Sequence, residues 1–296
     1  MRVMTTRRRV GASVVAVVLC GTVPWVADAQ SRYPVRDTRT LTRTLRFGGA
    51  GDRTLDVRAV TGSIHVIAAD VSDVQIDVRR VTRARSDADL REAERDVTLD
   101  FLDNESRVRA VVREAGDVVC GEPSNRGRTW RPRYEVAFEF TIRVPRRINL
   151  QLCAMNGDGI RVEGTDGEFD VNHLNGRITM TDIRGSGSAE TLNGPVTVSF
   201  AEAPRGMSWL KTLNGDVEAT FPAGLSADLQ MKTRHGELLT DFDVQMLPPP
   251  APAAERRNGH FVYRSDGSAH VRVGRGGPAI SMETMNGDVR VIRAAR

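Results

Sequence analysis

Thr-Leu-Asn-Gly-Asp-Val, residues 212–217, is the stretch that decides how this chain folds. An apolar residue followed by Asn-Gly recurs as Met155-Asn156-Gly157, Leu174-Asn175-Gly176, Leu192-Asn193-Gly194 and Leu213-Asn214-Gly215. It degrades once, to Arg234-His235-Gly236, and returns as Met285-Asn286-Gly287. Counted Asn to Asn, with His235 standing in, the intervals are 19, 18, 21, 21 and 51 residues. Asn and Gly tolerate the positive φ of a tight corner. Repeats of this length mark strand arrays in which each unit buries its apolar face only against its neighbours.

The flanks alternate with a period of two, the strand signature. After each corner one face carries Ile160/Val162, Ile178/Met180, Val196/Val198, Val217/Ala219, Leu238/Thr240 and Val289/Val291. Before it, positions two, four and six residues ahead of the Asn give Ala154/Leu152/Leu150, His173/Val171/Phe169, Thr191/Ala189/Gly187, Thr212/Leu210/Ser208, Thr233/Met231/Leu229 and Thr284/Met282/Ile280. The expected unit is strand, corner, strand, with Asn156, Asn175, Asn193, Asn214, His235 and Asn286 in one turn row bonded along the stack. The outward row three before the Asn reads Cys153, Asn172, Glu190, Lys211, Lys232, Glu283. If successive units are neighbours, Glu190 stands beside Lys211 and Lys232 beside Glu283. The apolar residue just before each Asn is out of phase with the core. It either packs into the corner or forms a ridge along one edge.

Residues 1–29 read as an export signal: Arg7-Arg8-Arg9, a mostly apolar run from Val10 to Val26, then Ala27-Asp28-Ala29 before the cleavage point. Its removal matters to the charge. The chain has 42 basic and 38 acidic residues, and the signal holds four Arg and one acid, which leaves 38 and 37, a net of +1. No basic patch interleaved with aromatics stands out, so nucleic acid is not an expected partner. Residues 30–45 read as a flexible leader and 46–150 as an N-terminal β region. Within that region Thr61-Gly62 is a diverged first corner, and a short helix covers 86–95 behind the N-cap Ser86. Residues 151–296 form the regular repeats, interrupted by a Pro-rich loop at 247–258. Phe261–Ser265 and Ala269–Val273 read as strands flanking an Asp266-Gly267 turn, so that the insertion includes a hairpin or an extra irregular unit. The two mature cysteines, Cys120 and Cys153, permit a disulfide in an exported protein.

Chemistry is sparse. The five histidines are dispersed, and neither a nucleophile elbow nor a phosphate or dinucleotide glycine pattern is present. Asp158, Asp216, Glu237 and Asp288 follow corners and could bind calcium if stacked, but Arg177 and Pro195 interrupt the row. They read as turn acids, and no catalytic residue, metal or cofactor is expected.

Thr-Leu-Asn-Gly-x-Val units, a short helix after the early strands and a terminal Met-Asn-Gly-Asp-Val-Arg-Val resemble a bacterial domain-of-unknown-function family described as putative adhesins with β-strand repeats. The resemblance runs from about Leu55 to Ile292 and implies envelope or cell-surface binding without a named ligand. The reading is therefore all-β: a β-solenoid or β-helix-like stack with one short helix. The expected role is an exported, non-enzymatic envelope protein, periplasmic or extracellular, that binds an unknown protein or glycan or serves as a scaffold. The last strand, Val289–Ile292, could self-associate by its edge. No membrane span is expected once the signal is removed. The alternatives are a polysaccharide-active β-helix enzyme and an envelope-stress sensor.

Overall fold

The structure is a computed structural model that describes residues 32–49, 51–114, 117–118, 133–248, 255–257, 260–262 and 268–295. Residues 1–29, read above as an export signal, and Cys120 lie outside the described residues. Strand dominates the described residues, with one helix. The N-terminal part runs β1 (Val35–Leu45), β2 (Thr54–Ala69), β3 (Val74–Ala84), α1 (Asp87–Asp96), β4 (Val97–Asp103), β5 (Arg107–Glu114), β6 (Asp117–Val118) and β7 (Tyr134–Pro145). The repeats begin with β8 (Asn149–Glu163), β9 (Phe169–Asn175), β10 (Ile178–Ile183), β11 (Gly187–Asn193), β12 (Val196–Phe200), β13 (Ser208–Lys211) and β14 (Val217–Phe221). They continue with β15 (Ala227–Lys232), β16 (Leu238–Thr240), β17 (Val244–Met246), β18 (Glu255–Arg257), β19 (His260–Val262), β20 (Ser268–Val273), β21 (Ala279–Glu283) and β22 (Val289–Arg293).

Two parallel ladders carry the repeats. Strands that enter a corner pair in the order β2, β8, β9, β11, β13, β21, β15. Strands that leave a corner pair in the order β2, β8, β10, β12, β14, β22, β16. The alternation read from the sequence sets the register: Ile160, Ile178, Val196, Val217 and Val289 face the core in adjacent strands, all at 1% exposure or less. Phe200 and Phe221, at the ends of neighbouring strands β12 and β14, stack at 5.0 Å between ring centroids. The sheet does not close on itself.

Space departs from chain order at one place. The unit around Asn286, last in sequence, enters between the units of Asn214 and His235, so β21 lies between β13 and β15 and β22 between β14 and β16. Sequential order would set Lys211 directly beside Lys232, and like charges opposed across strands are destabilising. With Glu283 interposed, the row reads Lys-Glu-Lys. The last strand is therefore no edge, and the edge-pairing expected of Val289–Ile292 does not apply to it. Among the described residues the terminal strand of that ladder is β16.

Three further expectations change. Residues 35–45 are not a loose leader: β1 pairs with β3 antiparallel over its whole length. Its Thr-rich alternation suits a strand whose side chains stay largely exposed. Among the described residues the two strands at 260–262 and 268–273 do not pair with each other as a hairpin would. β19 pairs with β18, whereas β20 pairs antiparallel with β15 and β17, burying Val271 and Val273 against the end of the stack. Residues 249–254 of the Pro-rich loop and the Asp266-Gly267 turn lie outside the described residues. The first two early strands are one continuous β2 that crosses the diverged corner, with Thr61 registered on Asn156.

On the far side of β2, β5 pairs with its first half and β7 with its second, both parallel, and β3 continues beyond β7. Asp56 of β2 is fully buried there. Arg58 and Arg109 donate to its carboxylate at 3.0 and 2.9 Å, and Arg107 lies 3.6 Å away while donating to Gln151 of β8 at 2.9 Å. A buried carboxylate needs that compensation. The helix starts where the sequence indicates: the Ser86 hydroxyl accepts from the Asp89 amide, and Asp87 and Asp89 occupy the first turn.

Candidate binding face at the corner stack

The corners lie over one another. Asn175 donates to Asn156, Asn193 to Asn175, Asn214 to Asn193 and Asn286 to Asn214, each through its side-chain amide at 2.7–2.9 Å. His235 ends the ladder, with Nδ1 3.0 Å from the Asn286 amide oxygen. An amide is both donor and acceptor and so extends such a ladder on both sides, whereas the end position needs only one contact. The degraded corner thus occupies the place where degradation costs least.

Close stacking explains the glycines. Gly215 has φ +146° and Gly287 φ +146°, and a Cβ on either would stand 2.4 or 2.1 Å from the carbonyl oxygen of the neighbouring corner glycine. The threonine two before Asn193, Asn214, Asn286 and His235 ties each unit to the corner of its neighbour. Thr191, Thr212, Thr284 and Thr233 donate to the carbonyls of Gly176, Gly194, Gly215 and Gly287 at 2.8–2.9 Å. His173 replaces threonine in this row. Its ring is 5% exposed, neither nitrogen has a hydrogen-bond partner, and burial holds its pKa below the ordinary value.

Beside the corners a groove of about 840 Å³ crosses five units. Its floor is His173, Thr191, Thr212, Thr284 and Thr233. One wall is the row Asn172, Glu190, Lys211, Glu283, Lys232 in spatial order. Glu283 lies 3.8 Å from Lys211 and 3.9 Å from Lys232. The other wall is formed by Leu192, Leu213, Met285 and Arg234, the residue before each corner Asn or His; the structure places the apolar ones outward, 37–40% exposed, and Leu174, 36% exposed, holds the same position one unit further on. Trp209, 45% exposed, lies two residues before Lys211 on the same strand. Five exposed large apolar side chains on one face form a patch of the kind that marks interaction sites. The out-of-phase apolar position was the sequence signal for this ridge; Trp209 gave none.

The acids after the corners do structural work. Asp216 accepts the backbone N–H of Asp288 at 2.9 Å, and Asp288 accepts that of Glu237 at 3.0 Å. Arg290 donates to Asp216 at 3.0 Å and to Asp288 at 2.5 Å, and the Asp216 carboxylate raises its pKa. A guanidinium occupies the space a cation would need. Among the described residues no group of three metal-ligating side chains occurs, and no helix is long and apolar enough to cross a membrane. Cys153 is disulfide-bonded; Cys120 lies outside the described residues.

No family model matches the chain, and no curated protein matches it. Among the solved structures it is remotely similar to are the following two. A putative cell adhesion protein from Clostridium sporogenes ATCC 15579 is 7% identical with a TM-score of 0.44, covering 87% of this chain and 100% of its own. A putative adhesin from Bacteroides fragilis NCTC 9343 is 8% identical with a TM-score of 0.34, covering 86% and 97%. At these scores neither says how this chain folds or acts.

Proposed function

We propose that this chain is an exported, non-catalytic protein of the cell envelope, built as a β-solenoid, that binds an envelope component through the face beside its corners. One observation carries the reading: a groove spanning five units has an exposed Leu/Met ridge on one wall and an ordered charge row on the other. Stacked repeats present such extended surfaces. The non-catalytic half of the reading is supported by Asp216 and Asp288, whose carboxylates already accept backbone N–H groups and an arginine.

The test is co-sedimentation of the mature protein with envelope fractions, comparing wild type with Leu192→Asp/Leu213→Asp. Both side chains are exposed, so the fold persists and binding drops; unchanged binding would refute the face. Incubation with a panel of acidic and neutral glycans, with and without calcium, yields no cleavage. Turnover lost in Asp216→Ala or Asp288→Ala would refute the non-catalytic reading.

A further inference from the structure

We infer that the partner of this face is a second copy of the chain, docked across a two-fold axis that runs along the strands, so that the two corner stacks lie antiparallel. The inference deepens the proposed role and rests on the same face being a recognition surface.

The charge row carries the argument. In spatial order it reads Glu190, Lys211, Glu283, Lys232, one residue per rung. Rungs are about 4.8 Å apart, so the row repeats its sign only every second rung. Turned end for end about its centre and laid on itself, it places Lys211 opposite Glu283 of the second copy and Glu190 opposite Lys232 of the second copy. The two-fold repeats both contacts, so all four meetings are between opposite signs. Laid on itself parallel and in register, the row meets only like charges. An even, alternating row is self-complementary in one orientation alone, and that is what an isologous contact requires.

The ridge obeys the same operation. The axis passes between the Lys211 and Glu283 rungs, which carry Leu213 and Met285, so Leu213 meets Met285 of the second copy. Leu192 meets the aliphatic stem of the second copy's Arg234, the type of cover a long cationic side chain provides. Two exposed apolar ridges would be removed from water together.

Residue choice points the same way. Of 42 basic residues only two are lysine, and they are Lys211 and Lys232, on either side of Glu283. A compact ammonium on a flexible stem can turn from its own glutamate to another chain's; a planar guanidinium fork is held by fixed geometry. The face is narrow, about 19 Å from first rung to fifth at ~4.8 Å per rung. That places the association in the weak, transient class, micromolar or weaker.

The test is sedimentation equilibrium of the mature protein from micromolar to near-millimolar concentration. A monomer–dimer equilibrium weakened by salt is expected. Lys211→Glu sets like charges at two symmetric contacts and weakens the dimer roughly tenfold. The swap Lys211→Glu/Glu283→Lys restores it, and Leu213→Asp abolishes it, with circular dichroism unchanged throughout. Because the chain has only these two lysines, every side-chain amine an amine-reactive cross-linker can join lies on the face: the two-fold predicts Lys211–Lys211 and Lys211–Lys232 links between copies, identified by mass spectrometry of isotopically mixed protein. A monomer at every concentration overturns the inference, as does a dimer indifferent to Lys211→Glu and Leu213→Asp. If the protein is monomeric yet Leu192→Asp/Leu213→Asp still loses envelope binding, the second-copy inference falls and the binding face stands. If the face variants change neither, both fall.

Discussion

Replacing His173 with threonine should stabilise this protein, and increasingly so as the solution is acidified. The imidazole sits in the threonine row, buried, with two unpartnered nitrogens. A threonine there would donate to the Gly157 carbonyl, as Thr191 does to Gly176 in the next unit. Relieving a buried unsatisfied polar group contributes about 1–3 kcal/mol, and the new hydrogen bond about 0.5–1.5 kcal/mol. Against this, the smaller side chain leaves roughly 40 Å³, which at ~24 cal/mol per Å³ costs about 1 kcal/mol. The net at pH 7 is a gain of about 1–2 kcal/mol, or roughly 2–6 °C in Tm for a domain of this size. The pH dependence follows from linkage. Burial lowers the folded pKa of His173, so the unfolded chain takes up the proton first. Stability of the wild type is lost as pH falls from about 6.5, the unfolded value, toward the lower folded value. Threonine removes that loss, so the difference between variant and wild type widens from pH 7 to pH 5. Glu114, whose pKa is raised by burial and then by Asp96, acts with the opposite sign in both proteins and cancels in the difference. Urea unfolding at pH 5, 6 and 7 measures it. A variant less stable than wild type at pH 7, or a difference flat with pH, would refute this account of the threonine row.

Gly215→Ala meets two obstacles, φ +146° and a carbonyl 2.4 Å from the new Cβ. It should cost at least 2–3 kcal/mol in urea unfolding, and an effect below 0.5 kcal/mol would mean the corners are not tightly stacked. Asn214→Ala removes one amide that both donates to Asn193 and accepts from Asn286. On an exposed edge the loss should be about 1 kcal/mol, with faster amide exchange at neighbouring corners; unaltered exchange would count against a continuous ladder. Glu283→Lys turns two loose ion pairs into two repulsions and should cost about 1–2 kcal/mol at low salt, shrinking as salt rises. A loss that does not shrink with salt would show that its cause is not charge.

The corners, the faces of the flanking strands, the helix at 86–95 and the Asn row could all be read from local pattern. Period-two alternation and Asn-Gly act through neighbouring residues and need no knowledge of the distant fold. What stayed hidden depended on contacts between distant segments. β1 is polar on nearly every position and reads as leader, yet β3 offers it eleven partners, from Ala84 to Val74. β20 looked like half of a local hairpin and instead closes onto β15, more than thirty residues away. The groove depended on the direction of one side chain per unit: Leu192 and Leu213 lie out of phase, and alternation alone cannot say whether a corner turns such a residue inward or out.

Rung order was the subtlest of these, although its causes were printed in the row. Parallel ladders constrain which faces meet but are indifferent to which unit follows which, since every unit offers nearly the same edge. Two local irregularities break the degeneracy. Lys211 and Lys232 cannot be neighbours without opposing like charges, and only one remaining unit carries an acid at that position, at Glu283. The second irregularity is His235, which can take a contact from Asn286 but lacks the amide needed to pass the ladder on, so its unit belongs at the end. Together they admit a single order, with the last-synthesised unit between two earlier ones. The core-facing sides of the interposed unit's two strands bury Ile280, Met282, Val289 and Val291 at 1% exposure or less. The unit around Asn286 therefore lies in the interior of the stack rather than at its tip. The charge alternation that selects this order is the same one that makes the outer face complementary to itself.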